Sequence, residues 1–225
     1  MINLICRFFL ILFICSFINF SLYANPDQTN SKIITTKPFY KDENCSTPAK
    51  AADSAKKSAL IACHWIEDIG LGDKNNAKSA AAMIVNSRFC GDNYIWVLDY
   101  LDNVTATSHL LYKITLLHPV KPALEQSLNQ IHKDFGEGFY IVDQQLFASS
   151  LSDDGCWIKY NWTKPGTLEK SEKITFVKKC KDKSTGKFTI VGAGLHAPHD
   201  LLITLNPPQC KKAEVANPYN VKKKK

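Results

Sequence analysis

The chain has 225 residues, 45% of them hydrophobic and 22% charged, which excludes a disordered polymer and leaves room for one sizeable domain or two small ones. Its formal charge is +7, but Lys222 to Lys225 carry much of it. The body is near neutral, and basic residues do not interleave with aromatics, so no nucleic-acid partner is expected.

Residues 1–24, MINLICRFFLILFICSFINFSLYA, place Arg7 before an apolar run from Phe8 and end at Ala24, ahead of the polar NPDQTNSK. That layout predicts a secretory signal peptide, whose removal lowers the charge from +7 to +6. An uncleaved membrane anchor is the alternative. No later segment reaches the roughly 18 uncharged apolar residues of a second span. The expectation is a periplasmic or secreted protein, soluble once the leader is gone.

Residues 25–46 read as a flexible lead. Thr47 followed by Pro48 is a helix start, a side-chain cap and then proline at the first helical position. AKAADSAKKSALIACHWIEDI then keeps helical spacing until Gly70 and Gly72. NNAKSAAAMIVNSRFC predicts a second, alanine-rich helix that Gly91 ends. NYIWVLDY and HLLYKITLLH read as strands, residues 121–134 as an amphipathic helix, and QQLFASSL as a short helix. CWIKYNWT, KITFVKKC and FTIVGAGLH are three further strands, separated by turn-like KPGTLEKSE and KDKSTG. The order implies an α+β fold with one five-stranded antiparallel sheet, spanning residues 47–210 as a single domain, with a basic C-terminal tail over 211–225.

Six cysteines follow the leader: Cys45, Cys63, Cys90, Cys156, Cys180 and Cys210. An even count behind an export signal reads as up to three disulfides. Cys156 and Cys180 fall in neighbouring strands and are the favoured pair. Sequons at Asn44, Asn103 and Asn161 matter only in a eukaryotic secretory pathway.

Five motifs carry a resemblance. RFCGDNYIWVLD holds Arg88, Phe89, Gly91, Tyr94, Trp96, Val97 and Asp99; LHPVKP holds His118, Pro119, Lys121 and Pro122. YNWTKPG runs from Tyr160 to Gly166, Lys173 precedes Phe176 by three, and VGAGLH closes the last strand. In this order and spacing they resemble the single Cache domain, an extracellular small-ligand module of bacterial chemoreceptors and sensor kinases. The resemblance covers about residues 77–196. It implies a PAS-like fold, with a long N-terminal helix beside a central antiparallel sheet and the pocket on that sheet. With no second span expected, such a domain would act as a soluble binding protein, present ligand to a membrane-bound signalling partner, or have lost sensing; no catalytic activity is expected.

His118 is open to four readings: pocket wall, hydrogen-bonded structural residue, catalyst or metal ligand. The resemblance places it where family members contact a ligand. Tyr94 and Trp96 share one strand face, as do Tyr160 and Trp162, because side chains alternate with period two. They read as core, as aromatic pocket walls, or as both. Lys173 and Arg88 offer positive charge to a carboxylate, against the plainer readings of a solvated lysine and a helix-end charge. Asp99 caps a turn or touches ligand. Pro198 between His196 and His199 removes the helical geometry of a zinc motif, and no nucleotide loop or cofactor signature occurs. The expectation is a small-molecule binder for an organic acid, with candidate ligand contacts Tyr94, Trp96, His118, Tyr160, Lys173 and Arg88. A closed-pocket interaction module and a hydrolase built on His118 are the alternatives.

Overall fold

The computed structural model describes residues 39–100, 115–126, 141–164, 166–167, 169–197 and 205–212. The leader, the His199 position and the lysine tail lie outside the described residues, as do most of the second expected strand and residues 127–134 of the expected amphipathic helix. Among the described residues no helix is long and apolar enough to cross a membrane.

Helix α1 runs Pro48–Ile69. It starts where the sequence says: the Thr47 hydroxyl accepts from the Lys50 N–H at 3.3 Å, and Pro48 needs no such acceptor. Gly70 ends it, its N–H bonded to Ile66 C=O at 3.0 Å. One face of α1 is nearly all alanine. Ala52, Ala55, Ala59 and Ala62 are fully buried, together with Cys63 and Ile66. Small side chains let the helix backbone lie close to the sheet, mainly over two of its strands.

The second helix departs from expectation. Helix α2 spans only Ala80–Val85, capped by Ser79, whose hydroxyl accepts from Ala82 N–H at 3.2 Å. At its end the Arg88 guanidinium donates to Val85 C=O at 2.8 Å, and to Ser87 C=O just beyond the helix at 2.7 Å, satisfying carbonyls the helix leaves open. Arg88–Phe89 then form a short strand, β2, parallel to β1 at Lys41–Asp42. The end of the expected flexible lead is thus part of the fold, and the Cys45–Cys90 disulfide ties it there.

Five strands make the main sheet: β3 Ile95–Asp99, β4 Thr115–Leu117, β5 Cys156–Thr163, β6 Lys170–Lys181 and β7 Phe188–Leu195. Their order is β4-β3-β7-β6-β5, and every pair is antiparallel. Helix α3, Ile141–Leu151, is longer than the segment expected. After β4, Pro122–Gln126 is a 3-10 turn where an amphipathic helix was expected to begin.

The sheet has a core on each face. Ile95, Val97, Trp157, Ile174, Phe176 and Val191 face α1. Trp96, Leu98, Ile158, Tyr160, Trp162 and Val177 face α3 and the 3-10 turn, with Tyr94 just ahead of β3. Period-two alternation also corrects the disulfide expectation. Cys156 pairs in register with Val177, so Cys180, three residues on, points to the opposite face. Cys180 bonds Cys63 of α1, and Cys156 bonds Cys210 in the C-terminal segment. That segment runs beside edge strand β5. The Asn206 side chain accepts from Trp157 N–H at 2.7 Å and donates to Trp157 C=O at 2.9 Å.

Candidate functional site

The face away from α1 carries a walled cavity. Its floor is the sheet: Tyr94 and Trp96 from the β3 side, Tyr160 and Trp162 from β5, Lys173 from β6. His118, directly after β4, closes one side, and Leu124, Ile141, Val142 and Gln145 form the roof. The space left is about 20 Å³, on the scale of a single water.

The Gly-x-Gly of β7 makes this floor possible. A Cβ on Gly192 would stand 2.4 Å from the Trp96 indole, and one on Gly194 would stand 2.2 Å from Thr175 Oγ1. The indole therefore lies over bare backbone, and its Nε1–H donates to Gln145 Oε1 at 2.9 Å. Thr175 in turn donates to the Tyr160 hydroxyl at 3.1 Å. Trp162 Nε1–H donates to the Tyr94 hydroxyl at 3.1 Å. Tyr94 is thereby fixed as an acceptor, and burial pushes its phenol up to about 12.

Lys173 is the unusual member. It is only 1% exposed. Its ammonium sits 4.5 Å from the Tyr94 ring centre and 4.7 Å from that of Trp96, and reaches the Tyr94 hydroxyl only at 3.5 Å. Among the described residues no carboxylate lies within ion-pair distance of it. Burial, and then the charge of Lys121, push it down from 10.5 to about 7. The solvated reading of this lysine is thereby corrected.

His118 is both wall and brace. Its ring stands 5.0 Å from that of Tyr94 and 6.2 Å from that of Trp162. Its Nδ1 accepts from Lys121 N–H at 2.9 Å, fixing the His-Pro-x-Lys turn, and its own N–H donates to Glu125 at 2.8 Å. Glu125 is held in turn by Lys74 at 2.6 Å.

Arg88 stays outside the cavity, spent on the end of α2. Five of the six sequence candidates therefore meet at one place. Gln145, Thr115, Leu98 and the roof residues were missed, and only the aromatic row of β5 pointed to Trp162. The geometry asked of a hydrolase occurs elsewhere: Ser171 Oγ lies 2.7 Å from His196 Nδ1. Among the described residues no carboxylate bonds the other ring nitrogen of His196, so the imidazole lacks the acidic orienter of a triad. Among the described residues Cys63, Glu67 and Cys180 cluster at metal-ligand spacing, but both sulfurs are spent in a disulfide.

The family model for Single Cache domain 2 matches residues 67–183, just over half of the chain. The chain belongs to that family. No curated protein matches it. Three solved structures show a looser likeness to this Cache domain. A Cache chemosensory domain, solved for the structural basis of carboxylic acid recognition, is 20% identical and covers 67% of this chain and 92% of its own, with a TM-score of 0.46. A periplasmic sensor domain of a chemotaxis protein is 19% identical over 67% and 94%, with the same TM-score. A methyl-accepting chemotaxis protein from Vibrio parahaemolyticus is 19% identical over 64% and 87%, again at 0.46. Family membership makes this a sensory, ligand-binding type of domain. The three disulfides fit an extracytoplasmic location.

Proposed function

We propose that this Cache domain binds a small organic acid in the cavity around Lys173, in the periplasm or outside the cell, without catalysis. One observation carries the reading: a fully buried lysine, boxed in by aromatic faces, with no carboxylate partner among the described residues. An unpaired buried charge is costly unless something pairs with it. A ligand carboxylate would supply the partner, forming charge-assisted hydrogen bonds of about 1.5–3 kcal/mol each. Lys173, Tyr160 and Tyr94 supply polar tips; Leu98, Leu124, Ile141 and Val142 suit a short apolar end.

The small cavity limits the ligand to a few heavy atoms and requires one wall to yield. The sheet floor is fixed by its ladders on both sides, so the roof of Leu124, Ile141 and Val142 is the wall that moves. The same volume favours, as the second reading, a closed-pocket domain that works through its surface. Calorimetric titration of short monocarboxylates into the protein separates the two. Binding by the wild type, weakened at least tenfold by Lys173→Gln, supports the first. Equal affinity in both proteins moves the ligand site elsewhere, and no heat from any acid leaves the closed-pocket reading.

A further inference from the structure

Among the described residues Lys173 meets no negative charge from any element packed on it. From the β3 side come Tyr94, a neutral phenol, and Trp96. From β5 come Tyr160 and Trp162, and from α3 comes Gln145. The turn after β4 brings His118 and a second cation, Lys121, whose charge opposes that of Lys173. His196, at the end of β7, is pushed down to about 4, first by burial and then by the charge of Lys173. Glu125, on the turn that supplies Leu124, is committed to Lys74 and to the His118 N–H. A cation so placed sheds its proton more easily than one in water. Near neutral pH the protein alone therefore holds Lys173 as a mixture of ammonium and amine.

We propose that the site takes up its carboxylate together with a proton: the arriving anion supplies the counter-ion missing around Lys173, and the lysine amine draws H⁺ from solvent to complete the ammonium–carboxylate pair. This rests on the carboxylate reading of the pocket. No bond to carbon changes, and the proton comes from water or buffer. Below about pH 7 the lysine is already charged, so binding takes up little proton and affinity is flat; above it, affinity falls by up to about tenfold per pH unit. A sensor built this way reports acid and acidity jointly.

The test is calorimetric titration of propionate into the protein in pairs of buffers with low and high ionisation enthalpy. Cacodylate and Bis-Tris serve at about pH 6, HEPES and Tris at about pH 8. The expected result is near-zero proton uptake at the lower pH and about one proton per ligand at the higher, with an affinity roughly tenfold weaker. Lys173→Arg carries a permanent charge and is expected to bind without proton uptake and without this pH dependence. If that variant fails to fold, the buffer comparison on the wild type decides alone. Propionate binding at the higher pH with no buffer dependence overturns proton capture and leaves the carboxylate pocket standing. Absence of binding at both pH values, for propionate and for other short monocarboxylates, overturns the pocket reading itself.

Discussion

Towards α1 the sheet offers aliphatic side chains, Trp157 and Phe176 to a row of alanines, with a disulfide from Cys63 to Cys180 across the gap. Towards α3 it offers two tyrosines, two tryptophans and a lysine, most of whose polar atoms reach a partner within the wall. The first face is filled by volume, and its energetics are those of apolar burial and chain cross-linking. The second contains a buried lysine with no carboxylate within ion-pair distance among the described residues. If the proposed pocket is the ligand site, stability and recognition divide between the two sides of one sheet, and substitutions should sort by side.

The largest effect is expected on the α1 face. Replacing Cys63 and Cys180 together by alanine should lower stability by about 2–5 kcal/mol, read by chemical denaturation, while organic-acid affinity of the still-folded protein stays within twofold or so. A large loss of affinity in folded protein would break the division. Next comes the opposite face, with the opposite sign. Lys173→Met should stabilise the protein by about 1–4 kcal/mol at around pH 6 and abolish acid binding. The pH dependence follows from a lysine whose folded value, about 7, lies below its unfolded value of 10.5. The unfolded chain then holds more proton between those values, so the penalty is full below about pH 7 and shrinks as pH rises through the window. The advantage of Lys173→Met should narrow accordingly in denaturation curves taken between about pH 6 and pH 9.

Ala59→Leu is expected to cost about 1–3 kcal/mol, because the added carbons have no space between α1 and the sheet. Thermal unfolding reads this, and acid affinity measured well below the transition should not change. The smallest effect belongs to a site outside both cores. Thr47→Ala removes the cap of α1 and should cost about 1 kcal/mol. A similar loss from Ser79→Ala would show that each helix draws on its cap and that neither pocket nor disulfide compensates.

The sequence was legible where its pattern had one physical meaning. Strands β5, β6 and β7 are runs rich in β-branched and aromatic residues set between turn-like segments, and Thr47–Pro48 and Gly70 bracket α1. Legibility failed where a local pattern met a distant partner. AAAMIVNSRF has the composition of a continuous helix, yet Arg88 caps its carbonyls and the next residues pair with Lys41–Asp42, which showed no strand signal of its own. Cys45 and Cys90 mark that pairing, but connectivity cannot be deduced from spacing. In the pocket, alternation put Tyr94 with Trp96 and Tyr160 with Trp162. It could not say that Lys173, preceded by Ser171 and Glu172, would be buried, since burial there depends on how α3 closes over the sheet. Arg88 looked as suitable as Lys173 for an anion, and only the third dimension separates them.

Asn206 also has a bearing on how copies of this chain behave at high concentration. Strand β5 is an outer strand of the sheet, the kind of border on which a second polypeptide can dock by main-chain pairing. At Trp157 the amide of Asn206 already occupies both the donor and the acceptor that such an intruder would use. The Cys156–Cys210 bond keeps the blocking segment from drifting off. Cutting that bond should therefore show itself as slow self-association before any loss of the native sheet.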